Sequence, residues 1–422
     1  MTISSSRQGQ GIAALSLGRD DLAGIVLLIY FSSSIISAAF RYPLSWISLE
    51  SFRQDAVAFI FIVAILIFIF ISKKPLPADF IYIFAFVVVF FLLTYLLNPH
   101  YGYVYFREQF GVWDHVFRPT NGIYAYLVIR LFHDPQKIVK YLKVTAILQF
   151  IFLIAQYYMA TQRGYWTVTR GPDLIVERGY SLTFGYDMLF VTLVFLYYGI
   201  IENNKKLLLL SMVGIGYIFT AGSRGPFIGL VIFCVLMFLK HLRTTKRNVA
   251  IVFFLSGCAV LFFIYLDQIL EGFIYWLNSL NVASRTLDMI INNVLLEQVS
   301  GRDLLWSTTI AKIYEQPLWG YGFLGERHFL YPLYYGGYVH NIYLELLANF
   351  GVVLGSLIAL YLLIGAIKML ISCHDKVWLG LFIIFFSMST QLILSRSFWI
   401  LPHFWASIAI VVSYNASIKK RS

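Results

Sequence analysis

The chain reads as an all-α polytopic membrane protein: about 12 transmembrane helices, with one long helical external segment, 267–340, between the ninth and the tenth. Three observations carry that reading. Hydrophobic residues make up 59% of the chain and charged residues 13%, with a mean hydropathy of +0.76. The apolar stretches are punctuated by short polar ones at intervals close to the ~20 residues an apolar helix needs to span a bilayer. The basic residues also separate by type. With the loops assigned alternately to two sides, 13 of the 14 lysines fall on one side, at Lys73, Lys74, Lys137, Lys140, Lys143, Lys205, Lys206, Lys240, Lys246, Lys368, Lys376, Lys419 and Lys420, and Lys312 falls opposite. Arg41, Arg53, Arg107, Arg118, Arg163, Arg170, Arg178, Arg224, Arg285, Arg302, Arg327 and Arg396 fall on the side that the lysines avoid. Positive residues kept on the cytoplasmic side set membrane orientation, which accounts for the lysines and puts both termini inside. The arginines need another cause. Guanidinium binds phosphate or pyrophosphate as a two-pronged fork where ammonium acts as a point charge, so the external face has the composition of a surface that holds a phosphorylated ligand.

Taken in order, the spans are expected at 22–40, 56–72, 79–97, 119–133, 142–160, 181–201, 206–222, 226–240, 249–266, 341–365, 377–395 and 398–414. The fourth and eighth are short enough to tilt or to be partly re-entrant. The polar first 20 residues carry only Arg7 and Arg19 as basic residues and no cleavage-type signal follows them, so the first span is expected to be an anchor. Cys234, Cys258 and Cys373 fall in spans or a cytoplasmic turn, which leaves no disulfide framework to hold the external surface. The net charge of +11 does not mark a nucleic-acid binder, because the lysines are scattered at helix ends rather than gathered in a basic domain. Residues 1–422 are read as one integral membrane domain, with 267–340 as an external subdomain within it.

A connection as long as 267–340 is usually functional or carries its own secondary structure. Residues 286–298 and 302–315 have the spacing of amphipathic helices, and Ser300 stands where it could cap the second, with Asp303 near the positive dipole end. Gln316-Pro317 ends that helix. Leu318-Trp319-Gly320-Tyr321-Gly322 and then Tyr331, Tyr334, Tyr335, Gly336, Gly337 and Tyr338 follow. So many aromatics suit a membrane-surface segment or a sugar-stacking wall, and the segment is expected to roof a cavity.

Candidate site residues follow from charge in awkward places, each with a plainer explanation beside it. Arg302, in Ser300-Gly301-Arg302-Asp303, either holds a ligand or makes a surface ion pair or headgroup contact. Arg224, squeezed between two spans in Gly222-Ser223-Arg224-Gly225-Pro226, faces a watery cavity or snorkels to the headgroups. His340 heads the tenth span, where an imidazole serves as a cap or interface residue or as a general base for a sugar hydroxyl. Arg163, Arg170 and Arg178 crowd one loop with Asp173 and Glu177, as a binding cluster or as solvated charge. Arg118, Arg285 and Arg396 have weaker individual claims. The eight histidines lack a metal-ligand spacing and no glycine-rich phosphate loop occurs, so no metal and no cofactor is expected. The cytoplasmic loops are too short for a nucleotide-sugar domain, so a transferase would draw on a membrane-bound donor.

Taken together, Ser223-Arg224-Gly225, then Ser300-Gly301-Arg302 with Trp306, then Pro317-Leu318-Trp319-Gly320-Tyr321-Gly322, then His340-Asn341 with Tyr343, Leu344 and Gly351 resemble the O-antigen ligase / O-antigen polymerase superfamily over about residues 180–365. The resemblance implies an inverting, metal-independent glycosyltransferase of the bacterial inner membrane, working on its outer, periplasmic face. It implies an undecaprenyl-diphosphate-linked glycan as donor and a glycan acceptor, in a setting of membrane lipids with a chain-length regulator and a flippase as partners. On that resemblance Arg224 and Arg302 hold the donor pyrophosphate, and His340 is the base or positions the acceptor. Arg178, Arg170, Arg163, Arg285, Asn341 and Tyr338 complete the substrate-binding set. Three readings stay open. The ligase pattern places Gly, Thr or Val at position 354, where this chain has Leu354 and then Gly355; that departure, with an arginine surplus suited to two lipid diphosphates, favours a polymerase. An O-antigen ligase transferring glycan to lipid A–core is the first alternative. A transporter of the same lipids is the second, and it would place charges near mid-span and show repeated halves. A reporter fused after residue 250 is expected to behave as cytoplasmic and one near residue 330 as external; the opposite result reverses the assignment of sides.

Overall fold

The computed structural model describes residues 18–46, 49, 52–107, 109–169, 175–178, 181–220, 225–241, 272, 275 and 294–419. Among them the chain is helical, with one small addition. Trp166–Thr169 (β1) and Ile175–Arg178 (β2) pair antiparallel, Trp166 opposite Arg178 and Thr169 opposite Ile175. This hairpin qualifies the all-α expectation, and its Thr-Val-Thr and Ile-Val runs are the β-branched signal that predicts strands.

In chain order the helices are α1 (Arg19–Phe31), α2 (Ser33–Trp46), α3 (Arg53–Ser72), α4 (Ala78–Leu97), α5 (Gly102–Tyr105), α6 (Gly122–Arg130), α7 (Pro135–Arg163), α8 (Leu182–Ile201), α9 (Lys205–Thr220), α10 (Gly225–His241), α11 (Val294–Glu315), α12 (Glu326–Leu330), α13 (Ile342–Ser372), α14 (Lys376–Met388) and α15 (Pro402–Lys419). Six helical stretches are long and apolar enough to cross a membrane: α3, α4, α7, α8, α13, and α14 with the turn that extends it to Ile393. The bent pair α1–α2 makes a seventh if counted as one span. Twelve such helices are not reached among the described residues. The expected fourth span holds only the nine-residue α6, the eighth holds the 17-residue α10, and the ninth lies outside the described residues. The first expected span is broken by a bend of 60° at Ser32. The side-chain amide of Gln149 on α7 donates to the Phe31 carbonyl at that break, so a neighbouring helix satisfies a backbone group the bend would otherwise strand.

The apolar helices divide by position. The α8 and α14 spans are each 78% buried and form the centre, whereas α3, α4 and α13 are 22%, 17% and 22% buried and lie at the periphery. Helices hydrophobic on every face are tolerated at either place, inside a core or against lipid. The two ends of the bundle differ in chemistry. At one end Lys143 pairs with Glu202, Lys137 with Asp21 at 2.8 Å, and Lys240 Nζ donates to the Leu370 carbonyl at 2.9 Å. Arg19 and Arg130 also lie here; Arg130 bonds Asp79 at 2.7 Å. The opposite end gathers the 98–121 connection, the β1–β2 hairpin, residues 294–341 and the 389–401 link, with Arg107, Arg118, Arg163, Arg302, Arg327, Arg396 and Lys312.

The described part of the long segment packs on that end. One helix, α11, runs from Val294 through Ser300 to Glu315, so 294–298 and 302–315 are continuous; residues 286–293 of the expected first helix lie outside the described residues. Gly301 inside a helix costs about 1 kcal/mol; beyond it Leu305 packs with Leu330 and Val339, and Ile313 with Leu347 and Ala348. After α11 the turn Pro317–Gly322 docks on a break in α13. Gly351 adopts φ 77°, ψ 169° inside that helix. The freed groups find partners in the turn: Tyr321 N–H donates to the Ala348 carbonyl at 2.7 Å, Gly322 N–H to Asn349 at 3.1 Å, and Val352 N–H to Pro317 at 2.6 Å. On its other side the turn is held by α4 and α5, where Phe323 N–H donates to Thr94 Oγ1 at 3.0 Å and Tyr105 Oη donates to the Phe323 carbonyl at 2.5 Å.

Both glycines of this joint are required. Gly351 has the mirror-β conformation open essentially to glycine, and a Cβ there would stand 2.1 Å from the Leu318 oxygen. A Cβ on Gly320, at φ 63°, would stand 2.5 Å from the Gly351 nitrogen. Gly351→Ala is therefore expected to destabilise the detergent-solubilised protein by about 3 kcal/mol, read by thermal or denaturant unfolding. Gly365→Ala on the same helix meets nothing within 4 Å and should change stability by no more than about 1 kcal/mol.

Candidate functional site

His340 lies at the seam between the long segment and α13, and local structure forces its pose. Asn341 caps α13, its Oδ1 accepting the N–H groups of Tyr343 at 3.0 Å and Leu344 at 3.2 Å, a bond type worth about 1 kcal/mol to a helix. To enter that cap the chain turns at His340 with φ 60°, a left-handed conformation uncommon outside glycine. The indole N–H of Trp306 on α11 donates to the Val339 carbonyl at 3.0 Å, pinning the residue just before the turn. Tyr334 and Tyr338 close on the imidazole with ring centroids at 5.0 Å and 4.4 Å. The His340 Nδ1 is buried without a hydrogen-bond partner among the described residues.

Two arginines stand in range of this ring. Arg302 comes from α11 and Arg396 from the link between α14 and α15. Burial depresses the His340 pKa to about 4; the charges of Arg302 and Arg396 push the same way, against a backbone hydrogen bond at Ser395. The ring is thus neutral near pH 7, the form that can take a proton. The Tyr186 hydroxyl on α8 lies in the field of both arginines and is bonded to Ser395 Oγ at 3.2 Å. Asp187, next on α8, lies in the field of Arg396. Neither Arg302 nor Arg396 has an ion-pair partner among the described residues. Guanidinium beside neutral imidazole is an arrangement that suits an anion, and Asp187 is an acid in range of Arg396.

The link that carries Arg396 is held from below by a buried polar network. Glu345, fully buried in the first turn of α13, accepts from the Ser397 hydroxyl and from the Phe398 N–H at 3.3 Å. Trp405 Nε1 donates to the Phe398 carbonyl at 2.8 Å. Behind it Arg327, 1% exposed, has Nη1 2.6 Å from His115 Nδ1, donates to the Gly336 carbonyl at 3.2 Å and lies 3.5 Å from Glu326. Burial pushes the Glu326 carboxyl up, with Arg327 opposing, and burial pushes His115 down, with Arg327 reinforcing it. A buried ion of either sign is tolerated only when paired, and Glu326 is the acid beside Arg327.

The sequence-predicted residues therefore separate. Tyr338 packs on His340, and Arg302 acts on the same ring through its charge. Asn341 adjoins them, with its side-chain oxygen engaged in the cap. Arg163 is the exposed last residue of α7. Arg178 is placed by its backbone in β2, opposite Trp166. Arg224, Arg170 and Arg285 lie outside the described residues. The external arginine surplus is smaller than its count suggests, because three members have internal tasks. Arg327 is enclosed in the network above, and Arg118 pairs with Asp114 at 2.5 Å and with Asp55 at 3.5 Å. Arg107 is stacked between Tyr331 and Tyr335 at 3.7 Å and 4.5 Å. Sequence reasoning passed over Tyr186, Asp187 and Glu345, and undervalued Arg396. Acidic residues in otherwise apolar spans were the available signal for Asp187 and Glu345.

Residues 207–359 match the family model described as O-antigen ligase. The match takes in α9, α10, α11, the docked turn, His340 and the Gly351 break. No curated protein matches the chain, and no solved structure does.

Protonation supplies a test of the site. A histidine with a depressed folded-state pKa favours folding above its unfolded value of about 6.5, and that contribution is lost as pH falls toward about 4. The acid limb of kcat/KM, which reports the base of the free enzyme, is expected well below pH 6.5; a limb at or above 6.5 removes His340 from the role of base.

Proposed function

We propose that this chain, through the 207–359 region that falls within the O-antigen ligase family, is an inverting, metal-independent glycosyltransferase of the bacterial inner membrane, and that it polymerises undecaprenyl-diphosphate-linked repeat units on the periplasmic face. The observation that carries the reading is the convergence of Arg302 and Arg396, without ion-pair partners among the described residues, on the buried neutral ring of His340. In the step this arrangement supports, an acceptor hydroxyl attacks the anomeric carbon of the donor sugar from the face opposite the diphosphate. The new C–O bond forms as the bond from that carbon to the diphosphate oxygen breaks. Undecaprenyl diphosphate leaves with the electron pair, and the hydroxyl proton passes to His340. Arg302 and Arg396, with Arg224, meet the charge that grows on the leaving group; fixed donors in a low-dielectric site make the largest contribution to such catalysis. Arg163, Arg170, Arg178, Arg285, Asn341 and Tyr338 are proposed to contact the rest of the substrate.

Twelve crossings with both termini inside, one membrane domain and an external 267–340 subdomain remain part of the proposal; the lysine end and the arginine end of the bundle support that orientation. His340 at the head of α13, Arg396 in the link between α14 and α15, and Arg302 in α11, which is not among the apolar spans, support transfer over transport, which favours charge near mid-span. Leu354 in place of the ligase pattern's Gly, Thr or Val supports polymerase. Arg107, Arg118 and Arg327 are engaged elsewhere, which leaves fewer arginines for a second diphosphate. The family description favours the ligase as the second reading. Deletion of the gene separates the two on a gel of surface polysaccharide: one repeat unit left on the core identifies a polymerase, and loss of all decoration identifies a ligase.

Arg302→Lys is expected to lower turnover by at least tenfold with the charge kept, because a point charge does not replace a bidentate fork. His340→Ala is expected to lower kcat more than donor affinity. Near-normal polymer from Arg302→Lys sinks the mechanism.

A further inference from the structure

Below the turn that ends α4, against α11 and α12, the arginine end of the bundle holds a cavity of about 270 Å3 that none of Arg302, Tyr334, Tyr338, His340 and Arg396 lines. Its chemistry is unlike that of the His340 site. Tyr101, Tyr321 and Phe329 give it ring surfaces, the last two packed edge to face at 5.0 Å. Asn98 and Gln316 give it carboxamides, each with both donor and acceptor capacity. His100 and His328 adjoin with centroids 5.1 Å apart, and the Tyr103 hydroxyl bonds His328 Nδ1 at 3.0 Å, leaving Nε2 as its remaining polar atom. The cation at the rim is already neutralised: Lys312 Nζ is 2.8 Å and 2.7 Å from the two carboxylate oxygens of Glu315. No arginine lines the space.

A diphosphate would find no uncompensated charge here. A sugar ring presents C–H faces suited to aromatic surfaces and a rim of hydroxyls that both donate and accept, the pairing this lining supplies. The volume falls just under the ~300 Å3 at which drug-sized pockets begin, enough for a sugar residue and too small for a whole repeat unit. We propose that the cavity is a saccharide subsite, where aromatic faces, carboxamides and imidazoles hold one sugar residue of the glycan apart from its diphosphate. The assignment of that sugar to the lipid-linked glycan rests on the transferase reading above.

Binding to the full-length protein in detergent tests this with two probes: the oligosaccharide released by mild acid from the host's own lipid-linked glycan, and inorganic pyrophosphate. His100 and Gln316 are exposed, so His100→Ala and Gln316→Ala leave the core intact. Each is expected to weaken oligosaccharide binding about three- to tenfold, the loss of one polar contact, with pyrophosphate binding unchanged. Arg302→Lys is expected to do the reverse. Oligosaccharide affinity unmoved in both alanine variants, or absent in the wild type, overturns the subsite. A chain that binds the oligosaccharide through His100 and Gln316 yet transfers nothing keeps the subsite and loses the transferase reading.

Discussion

A helix that breaks inside an apolar environment leaves carbonyls and N–H groups that water does not reach, and each costs several kcal/mol if unpaired. In this protein the break is at Gly351, and the partners come from the Pro317–Gly322 turn. Tyr321 and Gly322 donate to the carbonyls of Ala348 and Asn349, and Pro317 accepts from Val352. The turn is held on its far side by Thr94 and Tyr105. This joint fixes α11 and α12 relative to α13, and with them the residues that surround His340. The aromatic turn motif and Gly351 are two halves of one backbone contact, which is why each needs a glycine.

Charge at the arginine end follows the same logic of satisfaction. Arg327, Arg118 and Arg107 are bound into the structure by His115 and Gly336, by Asp114 and Asp55, and by the faces of Tyr331 and Tyr335. Arg302 and Arg396 both act on His340, and Asp187 lies in the field of Arg396. The residue type is common to all five. What separates a structural guanidinium from one available to a ligand is whether the fold has already engaged it, by a carboxylate, a carbonyl or a ring face.

Glu345 connects the two themes. A carboxylate in the first helical turn is favoured by the helix dipole, and here it also binds Ser397 and Phe398 on either side of one peptide link, just after Arg396. A residue of α13 thereby holds a guanidinium that belongs to a different connection, as Trp306 of α11 holds the approach to His340. The site residues come from α11, the head of α13 and the link between α14 and α15, and buried contacts from neighbouring helices keep them in place.

The helical class, the positions of the apolar stretches and the separation of lysines from arginines were legible in the amino-acid sequence, because bilayer thickness and loop charge act on composition and periodicity alone. So was a resemblance to the family whose model matches residues 207–359. The hairpin at Trp166–Arg178 was legible too, in β-branched runs that a strongly helical context made easy to pass over. The continuity of α11 from Val294 through Ser300 and Gly301 was not, since a serine and a glycine there read locally as a helix start. Nor was the bend at Ser32, nor the sorting of the arginines. Those depend on which groups from far apart in the chain meet in a medium of low dielectric, where a pairing is strong and its absence costly, and only the tertiary structure decides the meetings.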